Sequence, residues 1–147
     1  MGDFVNKQNA RPGVYSEVIK QIAEQKVCPF CPEQLANFHK NPIELGKYWL
    51  ATDNMYPYKP NKHHLLFIHI AHIQHIAEIS PEAWAELGEI IRQQTAKRQI
   101  TGGTFYLRFG DTHFSGASVT HLHATLVQSD PEDPAYDPAK GIYTRVG

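Results

Sequence analysis

The stretch VTHLHATLVQ, residues 119–128, narrows the folds open to this chain more than any other. Read as a strand, its side chains alternate between two faces. His121, His123 and Thr125 then stand in one row, extended by Val119 and Val127, while Thr120, Leu122, Ala124 and Leu126 face the other way. Successive members of such a row are about 6.6 Å apart along the strand. Two imidazoles in line serve as metal ligands, as a nucleophile beside an orienting group, or simply as half-buried, hydrogen-bonded histidines.

Around that strand the pattern is mixed. Tyr15, Val18, Ile19 and Ile22 share a face at helical spacing over residues 14–26, between Pro12-Gly13 and Cys28-Pro29. PEQLANFHKNP reads as a turn or short helical piece. Ile43–Leu45 and Tyr48–Ala51 read as a strand pair joined across Gly46. Asp53 to Lys62, with two prolines and two asparagines, reads as a loop leading into a buried strand, His64–Ile70. Ser80-Pro81-Glu82 starts a helix that buries Trp84, Leu87 and Ile91 and runs to about Gln99, before Gly102-Gly103. Thr104–Phe109 is a further strand, separated from Val119–Gln128 by the loop GDTHFSGAS. Because strands and helices do not alternate regularly, the pattern predicts an α+β fold with an antiparallel sheet. The 147 residues suit one domain, with an N-terminal arm over 1–13 and an extended tail or flap over 129–147 that carries three Asp-Pro breaks.

Composition excludes some functions. Lys and Arg total 14 against 15 Asp and Glu, a net charge of -1, which gives no electrostatic footprint for a long nucleic acid. A small phosphorylated ligand held by backbone amides and a few side chains stays open. No run approaches the ~20 apolar residues of a membrane span, and MGDFVNKQNARPG lacks the apolar stretch of a secretory signal, so a cytoplasmic location is expected. The two cysteines form Cys28-Pro-Phe-Cys31, and all nine histidines but His39 lie between His63 and His123. That spacer favours metal chelation or redox chemistry over a disulfide framework. Nothing around it looks like a thioredoxin-type unit, which disfavours redox. The glycine-containing loop SGAS, residues 115–118, lets backbone N–H groups approach an anion, with Ser118 adding a hydroxyl.

GASVTHLHAT, residues 116–125, resembles the G-Q-S-V-x-H-x-H-x-H signature of the histidine triad superfamily. Asn54, Pro57, Pro60, His64-Leu-Leu-Phe-Ile and His72 resemble the family's N/D-x-x-P-x-x-P-G-H-x-L-V-I-P-x-x-H block, with about two extra residues after Pro60. Cys28 and Cys31 resemble the zinc-binding pair of many bacterial members. The blocks stand in the family order. The resemblance implies a five-stranded antiparallel sheet with two main helices, commonly paired as a homodimer. It implies His123 as nucleophile toward a nucleoside phosphate derivative, such as a dinucleoside polyphosphate or nucleoside phosphoramidate. It also implies Asn54 on the ribose, Ser118 and the Gly116 backbone on phosphate, and a structural zinc on Cys28, Cys31, His72 and His121. Two thiolates and two imidazoles suit a closed tetrahedral shell.

The sequence also departs from the family. Thr125 replaces the third histidine and cannot carry a positive charge against phosphate. Ala117 replaces the usual glutamine, and Gly110 stands where many relatives have asparagine. The leading expectation is a nucleotide hydrolase or nucleotidyltransferase, with hydrolysis favoured. The rivals are a nucleotide-binding protein that has lost efficient turnover and a metalloenzyme with a catalytic metal at His121 and His123. His69 and His75 are expected on the surface. His63 and His113 either flank the phosphate or face solvent, and Tyr56 and Tyr58 either border a base pocket or pack the loop.

Overall fold

A computed structural model describes residues 3–147. Five strands, β1 (Ile43–Leu45), β2 (Trp49–Asp53), β3 (Asn61–His69), β4 (Thr104–Arg108) and β5 (His123–Ser129), form one antiparallel sheet in the order β1-β2-β3-β5-β4. The helices are α1 (Val14–Gln25), α2 (Pro32–Phe38), α3 (Pro81–Lys97) and a single turn, α4 (Thr112–Ser115). Among the described residues, no helix is long and apolar enough to cross a membrane.

Strand periodicity divides the sheet into a packed face and a chemical face. Trp49, Ala51, Leu65, Phe67, Ala124 and Leu126 point to one side, where Ala83 and Leu87 of α3 cover them. Trp49 is fully buried and its indole N–H donates to the Ala83 carbonyl at 2.8 Å. On the other side Leu50, Leu66 and Ile68 pack on Leu35 of α2 and on Phe30. By register His64, His123, Thr125, Tyr106 and Arg108 share that side. Helix α1 packs Ile19 and Ile22 on Val5 and Val119.

Three expectations change. Trp84 stays 41% exposed, because α3 buries the Ala83–Leu87–Gln94 stripe and Trp84 falls one residue off it. The last strand begins at His123 instead of Val119, because residues 118–120 pair elsewhere. Thr120 N–H donates to Phe4 O, Asn6 N–H donates to Ser118 O, and Val5 bridges Val119. The arm thus captures the segment that would have lengthened β5. Third, the segment after Ser129 is folded into turns. Asp130, Asp133 and Asp137 each accept the N–H two residues on, at 3.1, 2.7 and 2.9 Å, so each Asp-Pro pair opens a side-chain-closed turn.

One acidic residue locks the β1–β2 hairpin. The Glu86 carboxylate accepts the backbone N–H groups of Lys47, Tyr48 and Trp49 at 2.7, 2.7 and 2.9 Å. Partial burial acts to raise its pKa, but these three donors outweigh it and hold the group below the ordinary carboxylate value. Glu86→Gln should therefore lower stability by about 1–2 kcal/mol at neutral pH, the scale of charge-assisted hydrogen bonds. A depressed pKa stabilises the fold above the unfolded-state value of about 4.3, and that contribution is lost as pH falls through the folded value. Urea midpoints of the two proteins should differ at pH 7 and converge below about pH 4. A constant difference across that range would refute a role for the charge.

Candidate active site and metal centre

Cys28 and Cys31 sit in the turn between α1 and α2, with Cys31 as the residue before Pro32 at the start of α2. His121 lies just ahead of β5, and His72 follows β3. Their four ligand atoms lie within 4.8 Å of one another. Cys28 Sγ and Cys31 Sγ are 3.3 and 3.7 Å from His121 Nδ1, and Cys31 Sγ is 3.3 Å from His72 Nδ1. Tetrahedral zinc with Zn–S of about 2.3 Å and Zn–N of about 2.0–2.1 Å spaces S and N ligands roughly 3.6 Å apart, so the donor set fits zinc. Burial and the adjacent Cys28 thiol push the Cys31 thiol up to about 12, so Cys31 ionises readily only beside a cation. His121 is fully buried and its Nε2–H donates to the His69 carbonyl at 2.5 Å, leaving Nδ1 as the ligand atom. Among the described residues this is the one such cluster, and His123 is outside it.

Two residues on, the tautomer reverses. His123 Nδ1 lies 2.8 Å from the His121 carbonyl. A carbonyl only accepts, so Nδ1 carries the proton and Nε2 keeps its lone pair. Burial, with a smaller effect of the Arg108 charge, lowers the His123 pKa and keeps the ring neutral. The edge of Phe30 packs on it, with ring centres 5.1 Å apart.

His123 lines a cavity of about 550 Å³ on the chemical face of the sheet. Arg11, Arg108 and Arg145 also line it, and among the described residues no Asp or Glu does. Three guanidiniums without a carboxylate, in a chain of net charge -1, make a site for an anion. Tyrosines 15, 56, 58 and 106 supply flat surface. The loop preceding β5 is held from the arm, since Asn9 Nδ2 donates to the Thr112 and Ala117 carbonyls at 2.9 and 2.8 Å. Asp111 caps the single turn α4, and Gly116 closes it at φ +68°, a conformation that a side chain would strain. Ser118 Oγ shares a 2.5 Å hydrogen bond with the Tyr15 hydroxyl.

The structure therefore gathers the sequence-derived residues into two adjoining groups. Cys28, Cys31, His72 and His121 form the cluster, and His123, Asn54, Ser118, Gly116 and Thr125 line the cavity. Tyr56 and Tyr58 line the cavity as well, whereas His63 and His113 do not. His75 is exposed and caps a 3-10 turn at Ile76–Glu78. His69 is buried, contrary to expectation, because its ring packs edge-on against Trp49 at 4.9 Å and its Nδ1–H reaches the Ala71 carbonyl. Sequence reasoning assigned no role to Arg11 or Arg108, read Tyr15 as helix packing, and placed His64 in a buried strand and the family block without a part in the site. His64 accepts the Tyr58 N–H at Nδ1, 3.0 Å, and lies 3.1 Å from the Asn54 amide. Burial and then the Arg11 charge push its pKa down to about 4, so the ring is neutral. Alternation along β3 and β4 was the available signal for His64 and Arg108, once the strand order was known.

Solved structures share this architecture. The histidine triad nucleotide-binding protein from Candida albicans is 15% identical at a TM-score of 0.59, covering 78% of this chain and 89% of that one. A HIT family hydrolase from Clostridium thermocellum is 19% identical at 0.57, covering 75% and 96%. A Zn-bound histidine triad family protein from Mycobacterium smegmatis is 21% identical at 0.55, covering 76% and 83%. The fold of this chain is that of the histidine triad proteins. No family model matches the sequence, and no curated protein is significantly similar to it.

Proposed function

We propose that this chain is a histidine triad enzyme that hydrolyses, or transfers the nucleotidyl group of, nucleoside phosphate derivatives. The observation that carries the reading is His123 held as a neutral Nδ1–H tautomer at the wall of an acid-free cavity with three arginines. Nε2 attacks the α-phosphorus, a P–N bond forms, and the leaving group departs with the electrons of the broken bond. Water then attacks the nucleotidyl-His123 and loses a proton to solvent as its oxygen bonds phosphorus, while the P–N bond breaks, its electrons return to Nε2 and the neutral imidazole is restored. Backbone N–H groups around Gly116, with the Ser118 hydroxyl, stabilise charge on the equatorial oxygens. Thr125, buried between Leu66 and Tyr106 in the sheet register, offers a neutral contact. Cys28, Cys31, His72 and His121 would hold a zinc ion as a structural tie, with two thiolates and two imidazoles completing a tetrahedral set. Such a tie would fix His121, whose carbonyl orients His123.

The test is the intact mass of the protein after brief incubation with adenylylated and guanylylated compounds. A nucleotidyl adduct mapping to His123 is expected. Nucleotide binding with no adduct and no turnover would replace the enzyme with a binding protein. A catalytic metal shared by His121 and His123 is disfavoured, since His121 Nδ1 faces the two cysteines and His123 lies outside the ligand cluster.

Asn54 supports a second test. Its Oδ1 accepts the Tyr56 N–H at 2.8 Å and its amide meets His64, so it shapes the loop at the cavity wall. If it also bonds a ribose hydroxyl, Asn54→Ala should weaken nucleotide binding by about 0.5–1.5 kcal/mol and leave pyrophosphate binding nearly unchanged. Equal losses for both ligands would show that Asn54 acts through the loop alone.

A further inference from the structure

Arg108 stands opposite His123 in the β4–β5 register and lines the same cavity. Its charge is already engaged. Nη2 donates to Thr144 Oγ1 at 2.8 Å and to the Arg145 carbonyl, and the guanidinium carbon is 5.0 Å from the centre of the Tyr106 ring. Thr144 Oγ1 also reaches the Tyr58 hydroxyl at 3.4 Å. Further along, the same segment presses on the loop before β5. A Cβ on Gly116 would lie 3.2 Å from Gly147 N and 3.4 Å from the Arg145 carbonyl. Residues 143–146 thus cross the cavity from Arg108 to Gly116.

What holds this crossing segment decides what it does. Tyr143 and Val146 are 86% and 87% exposed, so beyond the half-buried Ile142 the segment buries little apolar surface. Its contacts to Arg108 are neutral oxygens, a hydroxyl and a carbonyl. A phosphate offers a guanidinium a full opposite charge and bidentate geometry, which these neutral oxygens lack. An anion is therefore the stronger partner for Arg108. Arg11 is held in the same way but outside the crossing segment, by the Tyr56 carbonyl and with its guanidinium carbon 4.3 Å from the Tyr58 ring centre. Thr125 brings no charge to the cavity.

We propose that Arg108 binds the phosphoryl oxygens of the ligand, and that residues 142–147 form a strap that occupies Arg108 until the ligand displaces it. The proposal rests on the anionic ligand of the reading above and is independent of covalent chemistry at His123. The strap makes the empty site self-satisfied and sets a threshold of anion affinity for opening it.

The probe is inorganic pyrophosphate, titrated by calorimetry into Arg145→Gln, which keeps the strap but lacks the cavity guanidinium that truncation also removes, into a chain lacking residues 142–147, and into both in the Arg108→Gln background. Relative to Arg145→Gln, removing the strap should tighten binding about tenfold, and Arg108→Gln should weaken it at least about tenfold. In the Arg108→Gln background, removing the strap should change affinity less than about twofold, because the contested group is gone. Backbone nitrogen-15 relaxation on the intact chain gives a readout that needs no truncation. Order over residues 142–147 should fall when pyrophosphate binds, with β5 unchanged. Equal affinity with and without the strap, a strap effect that persists in Arg108→Gln, absence of pyrophosphate binding to the strapless chain, or increased order over 142–147 on binding would each overturn the proposal. If the strap behaves as described but His123 takes up no nucleotidyl group, the enzymatic reading fails and the Arg108 assignment stands. If the adduct forms while pyrophosphate affinity ignores the strap, the reverse holds.

Discussion

His123→Ala should abolish the nucleotidyl adduct and reduce turnover by at least about 10³-fold, because it deletes the covalent route itself. The cavity keeps its three arginines in this variant, so nucleotide affinity should change far less than the rate. Zinc content should be unchanged, since His123 is not among the clustered ligands. Thr125→His provides the contrast. That side chain touches the cavity without belonging to the covalent route, so the adduct should still form, with an altered rate or lifetime as a protonatable group meets the phosphate. The measurement is the trapped mass in the wild type and both variants, with peptide mapping of the modified residue. An adduct that persists in His123→Ala, or that maps to His113, would overturn the assignment.

The candidate site was legible in sequence where chemistry depends on residue type and short spacing, and illegible where it depends on register. His121 and His123 could be named from alternation along THLHATLV, although the arm residues Phe4 and Asn6 keep residues 118–120 out of β5. The sequence paired the two histidines; the structure separates them by tautomer. His121 presents Nδ1 to the cysteines and His123 presents Nε2 to the cavity, each fixed by a backbone carbonyl that no sequence pattern encodes. Arg108 was invisible for another reason. It lies 15 residues before His123, and only the β4–β5 pairing places them opposite each other. The Asp-Pro segment read as an extended tail because proline argues against helix and strand. What it builds is a series of Asx turns that carry the chain back over the cavity. Trp84 shows the same limit on a helix, where one residue of rotation separates a buried stripe from a 41% exposed indole.

Cys28→Ser should give the largest loss of stability, because Cys28 is buried and its sulfur is one corner of the ligand cluster. A structural zinc contributes its binding free energy to folding, so losing one thiolate should cost on the order of 4 kcal/mol or more. In a domain of this size that corresponds to a fall of about 8–16 °C in melting temperature. The wild type should carry about one zinc per chain, and Cys28→Ser should carry much less. The effect should also reach the chemistry. His121 stands between the cysteines and His123, its ring on the sulfurs and its carbonyl on His123 Nδ1–H. Loosening the cluster should therefore slow adduct formation even at temperatures where the variant is folded, while leaving the modified residue the same. Metal analysis, melting curves and adduct rates on the two proteins check these points together. A wild type free of zinc after metal-replete preparation, with Cys28→Ser melting at the same temperature, would remove the metal from the account and leave the four residues as an ordinary buried contact.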